Sequence, residues 1–166
     1  MYKKITIVGG PGSGKTTLSN KLSEILKIPV THIDGIHHLP DWKERDKAER
    51  DSIILKLIEN DEWIIDGTYK STLKPRFEKS DLIIWLDYTT IALVKGVTSR
   101  YLKNKGIEKP EIPGCKEQMT WHFFKYTCRY NREKRKIILN NLENIDKNKI
   151  LIFKNRKELN KWVKGL

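Results

Sequence analysis

Acidic side chains are in short supply here: 21 Asp and Glu face 33 Lys and Arg over 166 residues, a formal net charge of +12. That balance points to a polyanionic partner, and a nucleoside triphosphate, a nucleic acid backbone or a merely solvated basic surface would each account for it. Cysteine is scarcer still. Cys115 and Cys128 are too far apart for C-x-x-C and have no second pair, so even with His122 between them they do not read as a zinc site; both read as reduced thiols. No apolar run approaches the roughly 20 residues of a membrane span. The start, "MYKK" and a five-residue apolar run ending in glycines, is too short for a signal peptide, so the expectation is a cytoplasmic protein with no membrane partner. Repeats and low-complexity tracts are absent from the sequence. The length suits one domain, 1–166, able to bury a core without disulfides.

What is present is concentrated near the start. Gly9, Gly14, Lys15 and Thr16 form G-x-x-x-x-G-K-T, preceded by the apolar run Ile5 to Val8 and followed by Leu18, Leu22, Ile25 and Leu26 at helical spacing. Strand, glycine loop and helix in that order make a phosphate cradle. Glycines let the backbone curl until consecutive N–H groups point at phosphate oxygens, and the helix N-terminus adds positive potential. Gly10, Gly12, Ser13, Gly14, Lys15, Thr16 and Thr17 are therefore the candidate nucleotide-binding residues. Lys15 would reach the β- and γ-phosphates of ATP, and the Thr16 hydroxyl would bind Mg2+. A dinucleotide fingerprint fits worse, because Gly10, Gly12 and Gly14 are too closely spaced for G-x-G-x-x-G.

Further along, "IPVTHID" (28–34), "EWIIDGTY" (62–69), "DLIIWLDY" (81–88) and "KILIF" (149–153) read as strands. Helical patterns lie between them, around Ile53 to Ile58, over 91–101 and, longest, over 117–144; a last helix is expected over 156–163. The strands are apolar almost throughout, as expected when helices cover both faces, so the pattern predicts an α/β fold with a parallel sheet of about five strands. Ligands in such sheets sit beyond the carboxyl ends of the strands, which singles out Asp34, Asp66 and Asp87.

The stretches "GGPGSGKTTLSNKL", "PVTHIDGIHHLPDW", "DEWIIDGTYKSTLKPRF" and "SDLIIWLDY" together resemble the adenylate-kinase-like P-loop proteins called DNA topology modulation, or FlaR-related, proteins, with Thr68 where that family usually has Asn. The resemblance implies a three-layer P-loop NTPase fold with strand order 2-3-1-4-5, which puts the third strand beside the P-loop strand and makes Asp66 the magnesium acid together with Thr16. Asp87 is then read as a helix N-cap near Thr89 and Thr90. The wider kinase group also implies a helical lid between strands four and five, about 100–136, carrying arginines. Within 95–136 this chain places twelve Lys and Arg against four Asp and Glu, 8 of the net +12. Arg129, Arg132 and Lys136 share one helical face, and Met119, Phe123, Tyr126 and Tyr130 another. Arg129 and Arg132 are the candidate lid cations and Arg100 a candidate nucleotide contact; a solvated basic face and a surface salt bridge are the plainer alternatives.

Asp34, in "HIDG", stands where sugar and shikimate kinases, to which this tetrapeptide is loosely similar, carry an acid. It is the candidate base for a hydroxyl acceptor, or simply a turn residue before Gly35. His32, His37 and His38 crowd the same loop without a metal-site pattern, and Arg76 lies where acceptor-binding arginines occur in adenylate-kinase-like proteins. The expected activity is transfer of the γ-phosphate of ATP to a small, nucleoside- or nucleotide-like acceptor. The alternative is a nucleotide-gated nucleic-acid binder, for which Trp121, Phe124 and Tyr126 among basic residues would supply stacking.

Overall fold

The computed structural model describes residues 2–166. Five short apolar segments form one parallel sheet: β1 (Lys4–Gly9), β2 (Val30–His32), β5 (Trp63–Asp66), β6 (Leu82–Leu86) and β9 (Ile150–Phe153), in the order β2-β5-β1-β6-β9. That is the order 2-3-1-4-5 of the sequence reading, with β1 central and Ile7 in register with both Asp66 and Ile84. Side chains alternate across the sheet. Ile5, Ile7, Ile64 and Ile84 face α1 (Lys15–Leu26) and α7 (Arg156–Val163), while Val8, Ile83 and Trp85 face α4 (Lys70–Lys79) and α6 (Trp121–Leu142). A third cluster of Ile33, Ile54, Ile58, Trp63 and Ile65 seats α3 (Lys47–Leu57). Both faces are covered, which is why the strands carry almost no polar residues.

Helix starts are capped by side chains that the sequence supplies. Thr89 accepts from the Ala92 amide to open α5 (Thr90–Asn104), Thr120 from Phe123 to open α6, and Asn155 from Glu158 to open α7. Asp87 is thus not the N-cap it was expected to be; Thr89 fills that position.

Two expectations are corrected by how strands run out of partners. The segment 28–34 pairs only over Val30–His32, because β5 ends at Asp66 opposite His32. The chain then turns into the short helix α2 (Ile33–His37), so Asp34 stands in its first turn. A two-stranded ribbon follows, β3 (His38–Leu39) with β4 (Lys43–Glu44). The long helix starts at Trp121, not Glu117. Glu117 is occupied by a hairpin of β7 (Glu108–Lys109) and β8 (Ile112–Lys116), its amide donating to the Ile107 carbonyl while its carbonyl accepts from Gly106. The segment between α5 and α6 is therefore a β-hairpin, not an extension of the helix, and Met119 lies outside α6.

Candidate active site

The loop from Gly9 to Thr16 is shaped by backbone that only glycine adopts readily: Gly12 at φ 71° and Gly14 at φ 93°, the latter immediately before α1. Close approach adds a second reason for Gly12. A Cβ there would meet the Val97 amide nitrogen at 2.5 Å, and a Cβ on Gly96 of α5 would meet the Gly12 carbonyl at 2.1 Å, so helix and loop touch backbone to backbone. Arg156 Nη2 donates to the same Gly12 carbonyl at 3.0 Å. Inside the loop the Ser13 hydroxyl is buried without a hydrogen-bond partner, while a Cβ on Gly14 would meet nothing within 4 Å. An orphaned hydroxyl and open space at a helix N-terminus fit a phosphate group. Lys15 folds back so that its Nζ donates to the Gly10 carbonyl at 3.1 Å. Burial pushes the Lys15 ammonium below its ordinary pKa, while Asp34 and Asp66 act in the other direction.

Asp66 ends β5 beside β1. Its Oδ2 accepts from the Ser19 hydroxyl at 2.5 Å and lies 2.8 Å from His32 Nδ1, leaving Oδ1 outside both contacts. Burial works against charge on His32, but the hydrogen bond and charge of Asp66 outweigh it and raise the imidazole pKa. The Thr16 hydroxyl and the Asp66 Oδ1 that these contacts leave open are oxygens of the kind Mg2+ takes, an ion that keeps most of its waters and needs few protein ligands. Ser19 and His32 gave no motif signal; they act by orienting the acid.

Thr68 links this centre to the long helix. Its Oγ1 accepts from the Gly9 amide at 3.1 Å, donates to the Gly9 carbonyl at 3.2 Å, and accepts from Tyr130 at 2.9 Å. The residue that departs from the Asn usual in the resembling family is thus fully employed.

Beyond the strand ends lies a cavity of about 490 Å³. The phosphate loop contributes Gly9, Pro11 and Lys15; α2 and the β3–β4 ribbon contribute Asp34, His37, His38 and Trp42; the β7–β8 hairpin contributes Lys109 and Ile112; and α6 contributes Phe123, Tyr126, Tyr130 and Lys134. Lys15 and Asp34 therefore open into one space. Tyr69 donates its hydroxyl to Asp34 Oδ1 at 2.8 Å, and burial followed by the Asp34 charge pushes the Tyr69 pKa up, keeping it a donor. The hairpin closes one wall. Trp42 donates its amide to Cys115 Sγ and its Nε1 to the Lys116 carbonyl, Cys115 Sγ donates to the Leu39 carbonyl, and Gly35 touches Glu111 so closely that a Cβ would lie 2.3 Å from the Glu111 carbonyl. Both cysteines are free, with Cys115 buried in this seam.

Other candidates land elsewhere. Arg100 lines the cavity, but its Nε sits 3.1 Å from Glu117, the salt-bridge alternative. Arg129 and Arg132 are exposed and do not line it. Tyr130 orients α6 toward the phosphate loop, and residues one before and two after it are turned away by about 100° and 200° on a 3.6-residue helix. Lys134, one turn beyond Tyr130, takes the cavity-facing place. Arg76 is wholly buried behind the wall, donating to the Thr72 and Gly67 carbonyls, and burial lowers its pKa to about 10. Asp87 is bound by Arg135 and Lys154 on the far side of β6 from β1. Thr17 is exposed on α1. No helix among the described residues is long and apolar enough to cross a membrane.

A five-stranded parallel sheet in this order, a phosphate loop after the central strand and a cavity beside it define the fold of the P-loop kinases. Solved structures show the same architecture. The chain is similar to shikimate kinase from Acinetobacter baumannii, in complex with shikimate, at TM-score 0.64 and 13% identity, over 98% of this chain and 89% of that one. It is similar to shikimate kinase from Bacteroides thetaiotaomicron at TM-score 0.58 and 16% identity, over 99% and 96%. A gluconokinase from Sinorhizobium meliloti matches at TM-score 0.54 and 13% identity, over 98% and 87%. Over 33 residues the chain is 52% identical to adenylate kinase 2 of Synechocystis sp., a match taking in 20% of this chain and 18% of that protein. No protein-family model matches the chain.

Proposed function

We propose that the protein is a P-loop phosphotransferase that passes the γ-phosphate of ATP to a hydroxyl of a small acceptor held in the 490 Å³ cavity. The observation that carries this reading is that Lys15 and Asp34 line the same cavity. In this reading Gly10, Gly12, Ser13, Gly14, Lys15, Thr16 and Thr17 hold the triphosphate, and the 105–120 segment with its hairpin is the lid. Thr16 and Asp66 would hold Mg2+, which when bound offsets charge on the phosphates. Asp34, held at Oδ1 by Tyr69, has Oδ2 available to take the acceptor hydroxyl proton as the new oxygen–phosphorus bond forms and the bond to the β-phosphate bridging oxygen breaks. The structural likeness to shikimate kinase and gluconokinase, both named for hydroxyl-bearing acceptors, supports a hydroxyl over a phosphate as the accepting group.

The test is a coupled ADP-release assay over nucleosides, nucleoside monophosphates, sugars and hydroxy acids, with Lys15→Ala as control. Turnover with at least one acceptor, lost in Lys15→Ala together with most ATP affinity by calorimetry, is the expected result; unchanged affinity in the variant would remove the basis of the reading. A second reading, a nucleotide-gated nucleic-acid binder of the topology-modulation kind, draws on one surface feature. Trp121 is 69% exposed and stacks on Phe124 at 5.7 Å, with Lys125 over its ring and the exposed Arg129 and Arg132 further along α6. That reading predicts salt-sensitive binding of single strands that Arg129→Ala with Arg132→Ala abolishes.

A further inference from the structure

Resting on the phosphotransferase reading, we infer that the acceptor is an uncharged molecule with a flat ring, a nucleoside in chemical class, and carries neither carboxylate nor phosphate. The acceptor side of the cavity is built from rings: His37, His38, Trp42, Tyr69, Phe123 and Tyr126. Several already pack on one another, His37 on His38 with centroids 4.6 Å apart, His37 edge-on to Tyr69 at 5.3 Å and His38 edge-on to Trp42 at 5.1 Å. Such walls take a planar ring by stacking and edge contact. His37 adds no fixed charge to this wall, since burial, His38 and Arg50 lower its pKa, and His38 Nδ1 is buried without a hydrogen-bond partner.

The cations on this side are already engaged. Lys109 Nζ lies 3.1 Å from Glu111 and 3.1 Å from Glu117, and Arg100 Nε lies 3.1 Å from Glu117 as a charge contact without a hydrogen bond, giving two positive and two negative groups in one cluster. Lys109 and Glu117 are almost fully buried, so turning either cation to an anionic acceptor would strand a buried carboxylate. Burial opposes ionisation of Glu111, but a backbone hydrogen bond and then Lys109 overcome it and hold its carboxyl below the ordinary value. Arg50 is spent on Asp51 and on the Tyr69 ring, Arg45 on Glu49, and Arg76 lies behind the wall. Asp34, Glu44 and Glu117 line the cavity, and the first two, outside the Lys109–Arg100 cluster, would repel an anion. Lys70 and Lys134 line the cavity without a carboxylate partner among the described residues: Lys134 lies one turn beyond Tyr130, whose Cδ1 would be 3.0 Å from a Cβ on Gly10, and so falls on the phosphate-loop side, whereas Lys70 is exposed at the start of α4, next to Tyr69.

The experiment measures kcat/KM with Mg2+ and ATP for adenosine, cytidine and thymidine against their 5′-monophosphates and against shikimate and gluconate. Calorimetry runs the same panel on the protein loaded with a non-hydrolysable ATP analogue. The expected result is turnover and binding of at least one nucleoside, with kcat/KM about tenfold or more above every anion. Glu117→Gln, which releases Arg100 and leaves Lys109 paired with Glu111 alone, is expected to shift the ratio toward the anionic acceptors by about tenfold. A monophosphate or hydroxy acid as the best acceptor overturns the inference and leaves the phosphotransferase reading intact. Binding of none of the nucleosides to the nucleotide-loaded protein also overturns it, and failure of the analogue itself to bind overturns both.

Discussion

Asp34 shows how much a single side chain depends on a partner far away in sequence. Tyr69, 35 residues on, occupies one carboxylate oxygen and leaves the other facing the cavity. If that oxygen takes a proton during transfer, Asp34→Asn keeps shape and nucleotide affinity but lowers kcat by about 10² to 10⁴, the usual contribution of general-base catalysis. Single-turnover kinetics beside nucleotide calorimetry check this, and an Asn variant as fast as the parent would assign Asp34 to holding the loop only. The phosphate-loop residues of the site were legible in the sequence because their motif is contiguous and each glycine answers a local backbone demand. Tyr69, Ser19, His32 and Thr68 were not, because their work is to orient other groups across β2, β5 and α1, and nothing in their own neighbourhoods announces it. Arg129 and Arg132 failed to reach the cavity for a related reason. Helical periodicity shows which residues share a face; only the packing of Tyr130 decides which face looks inward.

At the scale of elements, two glycines mark where one piece of backbone is pressed against another. Gly35 lies within α2, where replacing glycine by alanine ordinarily favours the helix by up to about 1 kcal/mol. Gly35→Ala is nonetheless expected to lower thermal stability, because its methyl would strike the Glu111 backbone carbonyl and force the β7–β8 hairpin away, with faster amide exchange over 106–117 and a higher acceptor KM. Lost stability with unchanged exchange would show that the hairpin does not depend on this seam. Gly96→Ala works on the other side: its methyl would displace the Gly12 carbonyl, so ATP affinity is expected to fall about tenfold or more while an acceptor analogue still binds, a split that paired calorimetry resolves. These contacts also explain which elements were readable in advance. The sheet strands and α7 announce themselves through apolar runs and amphipathic spacing. The hairpin does not, since its strands run to two and five residues and its inward groups include Lys109 and Glu117, a buried ion pair that sequence patterning reads as surface.

For the molecule as a whole, Asp87 is where the sheet, the longest helix and the last strand are tied together. It follows β6; Arg135 from α6 and Lys154 from just after β9 both bind its carboxylate, and both cations also lie over the Trp85 ring. Burial alone would raise the Asp87 pKa, but hydrogen bonds and charge from Arg135 and Lys154 hold it below the ordinary carboxylate value of 3.8. The linkage follows in sign: a depressed carboxyl contributes its full stabilisation above the unfolded value and loses it as pH falls from there through the lower folded value. Although Asp87 is 5% exposed, its partners are 48% and 57% exposed, so solvent screening reduces the contribution to about 1–2 kcal/mol. Asp87→Asn should then lower Tm by roughly 2–8 °C between about pH 5 and 8. Parent and variant should begin to converge as pH falls below the ordinary carboxylate value of about 4 and meet only below the lower folded value, where the parent carboxylate is itself protonated. Removing a carboxylate from a chain of net charge +12 also adds general repulsion, which salt separates from the local pair. A Tm gap that persists in part at high ionic strength and closes in acid belongs to the Asp87 cluster. One that vanishes with salt at neutral pH belongs to net charge, and would show that the junction of β6, α6 and β9 is held by its apolar packing alone.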